Sequence, residues 1–185
     1  QATDIIKVSA SGDFDRAIFL TDRYLQQIKR EQRNAEEAIA ITEKLLSDDN
    51  QEVDNAILTR KEAADYLQIS MDSLRNWEMN GLLTVKRKQN GYRIYTAEDV
   101  HRLKIIRSLR CANYSLAAIL RMLSTLENNP EADIRKAIDK PEENDDIISV
   151  CDELLTSLRC AEENAQIMLM QLEKMKKQFI TNSPL

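Results

Sequence analysis

Glycine and proline are scarce, three of each in 185 residues, and aromatic side chains make up only 5% of the chain. A β-sandwich or barrel needs turn residues every ten positions or so, and a phosphate-cradling loop needs clustered glycines, so neither is expected. Cysteine is equally sparse. Cys111, Cys151 and Cys160 are odd in number and follow no motif spacing, which fits free thiols in a reducing compartment better than a disulfide framework. No apolar run approaches the ~18 residues of a membrane span and the N-terminus does not resemble a signal, so the expectation is a soluble, cytoplasmic protein without membrane contact. P-loop, GxGxxG, nucleophile-elbow, paired-carboxylate and HExxH patterns are all missing, and neither an enzyme nor a cofactor is expected. What is present is 43% hydrophobic and 31% charged residues, a balance suited to long solvated helices.

The net charge of -5 conceals a division. Residues 58–123 carry 12 Lys/Arg against 6 Asp/Glu, residues 1–57 carry 7 against 12, and residues 124–185 carry 7 against 13. A basic middle lies between acidic arms. Local cation density, not total charge, decides whether a surface can face phosphates.

In the middle, Thr59 followed by Glu62 forms a capping box, and Ala63, Ala64 and Leu67 give an apolar face to a helix over 60–67. Gln68-Ile69-Ser70 is a tight turn, Ser70 caps a second helix lined by Leu74 and Trp77, and Gly81 stops it. Two short helices so joined are a helix-turn-helix, whose second helix would bring Met71, Asp72, Ser73, Arg75 and Asn76 towards DNA. Beyond it, the β-prone runs 82–85 and 92–95 flank Lys86-Arg87-Lys88-Gln89-Asn90-Gly91, and Asn-Gly is a strong hairpin signal because both residues tolerate positive φ. This is a wing with a basic tip. Thr96 then caps a helix over about 97–110, and Ser115 caps another through Leu116, Ile119, Leu120, Leu123 and Leu126.

Together, Arg75-Asn76-Trp77-Glu78, Gly91-Tyr92-Arg93-Ile94-Tyr95 and the Ser115-Leu116-x-x-Ile119 helix resemble the DNA-binding domain of MerR-family transcription regulators over about 65 residues. The resemblance implies a dimer that grips a pseudo-palindromic promoter and regulates by bending and untwisting the spacer between the polymerase boxes. Carried over, it assigns Arg75 and Trp77 on the recognition helix and Tyr92 and Arg93 in the wing. Where the family mostly has an aromatic residue, this chain has Asn76. Arg75 and Arg93 suit phosphate, while Trp77 and Tyr92 each offer a donor and a packing surface. For Trp77, core packing and DNA contact both stay open; Tyr95 is read as core and Cys111 as packed. The DNA-contact set is therefore Ser73, Arg75, Asn76, Trp77, Arg87, Lys88, Tyr92 and Arg93.

In the last arm Leu154, Leu158, Ala161, Ala165, Met168, Leu172, Met175 and Phe179 alternate steps of four and three, a heptad seam that requires a partner helix. Cys151 and Cys160 lie nine residues apart, about two and a half turns, and so face opposite ways on one helix. No metal site is expected from them. The first arm is less regular, with Leu25, Ile28, Ala35, Ile39 and Leu46 interrupted by Gln32 and Thr42. Yet it repeats the last arm. Asp4-Ile5-x-Lys7 matches Asp133-Ile134-x-Lys136 at an offset of 129, and Asp15, Ile18, Asp22, Leu25, Asn34, Ala35, Glu43 and Lys44 match residues 130 positions later. If the repeat is real, residues 1–47 are the tail of an earlier copy, and the two arms can pair within one chain or between chains.

The expected fold class is mainly α: a winged helix-turn-helix with a small β-hairpin, flanked by long coiled-coil-forming helices. Its parts are an arm at 1–47, a linker at 48–57, the DNA-binding domain at 58–127, a linker with a short helix at 128–146 and a coiled-coil dimerisation helix at 147–180. The expected function is sequence-specific promoter binding, as a homodimer or an intrachain pseudo-dimer, with RNA polymerase or another protein as further partner. The alternative is an architectural or excisionase-like adaptor that uses the wing domain and coil for assembly.

Overall fold

The computed structural model describes residues 2–47, 57–139 and 153–182. Among them the chain runs α1 (Ala2–Ala10), α2 (Phe14–Ser47), β1 (Leu58–Thr59), α3 (Arg60–Leu67), α4 (Met71–Met79), β2 (Lys86–Arg87), β3 (Arg93–Tyr95), α5 (Ala97–Cys111), α6 (Leu116–Asn128), α7 (Ile134–Asp139) and α8 (Leu154–Asn182). No described helix is long and apolar enough to cross a membrane. The fold is mainly α with one small sheet, as the composition and caps imply.

Two compact units divide it: residues 1–34 with 155–185, and residues 35–154. In the second, α3 to α6 form the winged helix-turn-helix. Every expected cap is made. Thr59 and Glu62 close a capping box on α3, Ser70 accepts from Ser73 N, Thr96 and Asp99 close a second box on α5, and Ser115 accepts from Ala118 N. Gln68, at φ 52°, ends α3 in the left-handed conformation, and its amide and that of Ile69 return to carbonyls of the last turn. Leu74, Leu82, Tyr95, Leu103, Ile106, Leu109 and Ile119 form the core and are almost wholly buried. Burial pushes the Tyr95 and Tyr114 phenols up, and both hydroxyls lack a hydrogen-bond partner.

The sheet departs from expectation. Its order is β1-β3-β2, all antiparallel, with Leu58 opposite Tyr95 and Lys86 opposite Ile94. The first wing strand is thus Lys86–Arg87, not 82–85: Leu82 and Leu83 are drawn into the core as the chain leaves α4, and pairing begins only beyond them. At the tip, Lys88 N donates to Tyr92 O at 2.9 Å and Gly91, at φ +81°, completes the turn. Within the same unit, α7 packs on α6, where Arg121 donates to the carbonyls of Ala137 and Ile138.

The other unit is an antiparallel pair, the first part of α2 against α8, with α1 added. Phe14 meets Phe179 at 5.6 Å between ring centroids, Thr21 Oγ1 reaches Met168 Sδ at 4.0 Å, and Gln32 Nε2 donates to Glu162 Oε2 at 2.9 Å. Asp15 pairs with Lys176. Ile5 of α1 joins Phe14, Ala17 and Leu172 in one apolar cluster. Along the α8 seam Leu158, Ala165 and Leu172 are buried, Leu154, Ala161 and Met168 are half-buried, and Met175 and Phe179 are exposed. Leu155, one residue from the expected Leu154, takes the buried position. The stretch 147–152 and Cys151 lie outside the described residues, while Cys111 and Cys160 are both exposed, Cys111 against expectation.

Candidate nucleic-acid interface

The recognition helix α4 lies in the basic segment 58–123 with its N-cap made, so its first turns keep one orientation. Arg75 and Asn76 are exposed on it; Ser73 is half-buried and tied to the cap, its hydroxyl 2.9 Å from that of Ser70. Met71 stands 49% exposed at the first position. Trp77 is 5% exposed and belongs to the core. Its ring supplies packing for α4 and offers no face to a ligand in this structure.

The wing carries Arg87, Lys88 and Tyr92 outward, Tyr92 at 72% exposure. Arg93 is held instead. Its Nε donates to Glu78 Oε2 at 2.6 Å, and Arg87 Nη2 lies 4.0 Å from Glu78 Oε1. One carboxylate on the recognition helix therefore grips both wing strands, and its hydrogen bond raises the Arg93 guanidinium further above its ordinary pKa. Replacing Glu78 with Ala should leave the half-buried Arg93 cation unpaired, loosen the wing and cost about 1 kcal/mol after solvent screening. Amide exchange at Arg93 and Tyr95 will report it; unchanged protection there would show that the strands hold without this pair.

Between wing and helix-turn-helix lies an open cleft of about 560 Å³ lined by Thr59, Arg60, Lys61, Met71, Lys88, Asn90, Gly91, Tyr92, Arg93 and Ile94. Four of these residues are cationic at neutral pH and none is acidic. Arg60 and Lys61 were not expected here, because the sequence marked their position only as the start of a capped helix. Arg60 Nη2 donates to the Met71 carbonyl and so ties the start of α3 to the start of α4, while its Nε is buried without a partner. Of the expected contact set, Lys88, Tyr92 and Arg93 line this cleft, Arg75, Asn76 and Arg87 are exposed outside its lining, Ser73 serves the cap and Trp77 the core.

A family model described as "MerR HTH family regulatory protein" matches residues 58–126. A probable heavy metal-dependent transcriptional regulator of Haemophilus influenzae is 36% identical over 76 residues, 40% of this chain and 59% of that protein. The HTH-type transcriptional regulator HmrR of Rhizobium leguminosarum is 32% identical over 71 residues, covering 38% and 55% of the two chains. For the HTH-type transcriptional regulator ZntR of Escherichia coli the figures are 34% over 64 residues, 34% and 45%. The chain thus spans about half the length of the curated relatives it matches. No solved structure matches it. The matched segment coincides with the capped helix-turn-helix, its wing and the two helices behind it, and residues 58–126 are a MerR-family helix-turn-helix domain.

Proposed function

We propose that this protein is a sequence-specific, DNA-binding transcription regulator of the MerR type. The observation that carries the reading is the basic cleft between wing and helix-turn-helix, with Glu78 of α4 paired to Arg93 of the wing. A duplex contacted by both elements at once is bound through phosphates along the cleft, and base edges are read by the exposed side chains of α4. Met71, Arg75 and Asn76 are the groups that set the sequence. Gripping both elements bends the duplex, and distortion of a promoter spacer is the mechanism by which bound protein alters transcription. RNA polymerase is the partner that would sense it.

Heavy metals appear in the name of one relative and are not carried over.

Selection of bound duplexes from a randomised pool at moderate salt tests the reading. Wild type should enrich one motif, and Arg75→Ala should relax specificity at one position, a loss of about 1–3 kcal/mol for that base. Binding without enrichment would favour the adaptor alternative.

A further inference from the structure

Resting on the DNA-binding reading above, we propose that Asn80 holds the side-chain amide of Asn76 in one orientation, so that the recognition helix presents a hydrogen-bond donor there and reads the acceptor edge of guanine in preference to adenine.

A freely turning asparagine offers a base both ends of its amide, an oxygen that accepts and a nitrogen that donates. Side by side, these ends fit adenine, whose N6 donates and whose N7 accepts. Asn76 is not free to turn in this way. Asn80 Nδ2 donates to the Asn76 main-chain carbonyl at 2.8 Å and to Asn76 Oδ1 at 2.8 Å. A main-chain carbonyl can only accept, so the first bond fixes which end of the Asn80 amide is nitrogen. That nitrogen can only donate, so the end of the Asn76 amide that meets it is the oxygen. Each hydrogen of the Asn80 NH2 group has its acceptor, and the polarity of the pair is set before any ligand arrives.

The backbone from which Asn80 reaches is itself held. Its main-chain N–H donates to the Asn76 carbonyl at 3.0 Å, Gly81 N to Glu78 O at 3.1 Å and Leu82 N to Trp77 O at 3.0 Å. Gly81, at φ 76°, turns the chain into this closure. The Asn80 side chain therefore starts from a fixed helix end, four residues beyond Asn76 and so on the neighbouring turn.

What remains for DNA is Asn76 Nδ2. Both asparagines are exposed, and Asn76 Nδ2 has no hydrogen-bond partner among the described residues. Trp77, the next residue, is buried, whereas Arg75 is exposed together with Asn76. The guanidinium and the NH2 group are both donors. In the major groove guanine shows two acceptors, N7 and O6, while adenine shows one acceptor beside an amino group that cannot accept from Asn76.

The test is selection of bound duplexes from a randomised pool by the intact chain and by its variants Asn76→Ala, Asn80→Ala and Asn80→Asp. Asn76→Ala identifies the position, the one whose preference disappears. There the wild type should favour guanine over adenine by about fivefold or more, the lower end expected of a base contact. Asn80→Ala releases Asn76 Oδ1, and Asn80→Asp replaces the donor with a carboxylate that accepts from Asn76 Nδ2 instead. Both should move the preference at that position towards adenine and leave the rest of the motif unchanged. A guanine preference that survives both changes, or a wild type that already favours adenine there, would overturn the proposal. So would an equal loss on every sequence with Asn76→Ala, which would put Asn76 on a phosphate. A second measurement needs no DNA. In the NMR spectrum of the free chain the Asn80 side-chain NH2 protons should exchange with solvent more slowly than those of Asn76, and Asn76→Ala should speed their exchange; equal exchange in the wild type would overturn the orientation whatever the DNA result. A wild type that enriches no motif would remove the regulatory reading and this contact with it, whereas an enriched motif indifferent to Asn80 would remove the contact alone.

Discussion

Trp77→Ala will destabilise the wing domain by about 3–5 kcal/mol, as expected for removing a large aromatic side chain from a packed core. Trp77 is 5% exposed, and Leu74, Leu82 and Leu83, close to it in sequence, are buried to no more than that exposure. Against the ~5–15 kcal/mol by which domains are usually stable, this is a large fraction. At roughly 4–8 °C per kcal/mol for a domain of this size, the midpoint should fall by more than ~12 °C. Calorimetry on the intact chain measures it, and Trp77→Phe should recover part of the loss by refilling the volume. DNA binding measured well below the melting point should survive in the folded fraction. A stability loss under about 1 kcal/mol with binding abolished would return Trp77 to the interface, the alternative that its place in the recognition helix left open.

What could be read in advance follows the range of the interaction. Thr59, Ser70, Thr96 and Ser115 each cap a helix through a hydroxyl that reaches a backbone amide three residues on, and such local chemistry is written in the residue type. The start of β2 was not legible, because Leu82–Val85 has strand propensity and only the distant core shows that its leucines are needed elsewhere. β1 was missed for a related reason: two residues carry no periodicity, and their pairing with β3 spans some thirty-five positions. On α2, Thr42 looked like a break in the seam, yet it is fully buried, its hydroxyl bonded to the carbonyl of Ala38 four residues back. In the candidate interface the outward cations of the wing were legible from their density around an Asn-Gly turn. Glu78, Arg60 and Lys61 were not, since their importance comes from neighbours distant in sequence: Arg93 for Glu78, Met71 for Arg60, and the wing side of the cleft for both cations.

Neutralising the wing, Lys86→Gln with Arg87→Gln and Lys88→Gln, should have the opposite profile: nearly unchanged stability and a large loss of DNA affinity. All three side chains are exposed, and the Glu78 carboxylate keeps Arg93 when Arg87 is removed, so each substitution should lie within about 0.5 kcal/mol of neutral for folding. Binding is different, because each phosphate contact releases a condensed counterion and adds about 0.9 to the slope of log affinity against log salt. Removing three contacts should flatten that slope by about 2.7 and reduce affinity most at low salt. Titrations at three or more ionic strengths, on the selected motif and on an unrelated duplex, separate the outcomes. A parallel loss on both duplexes with a flattened slope identifies the wing as the sequence-independent grip. An unchanged slope would mean that phosphates run elsewhere and the cleft is not the path of the DNA. Loss on the selected motif alone would make the wing a reader of sequence and shift the burden of specificity away from Arg75 and Asn76 on α4.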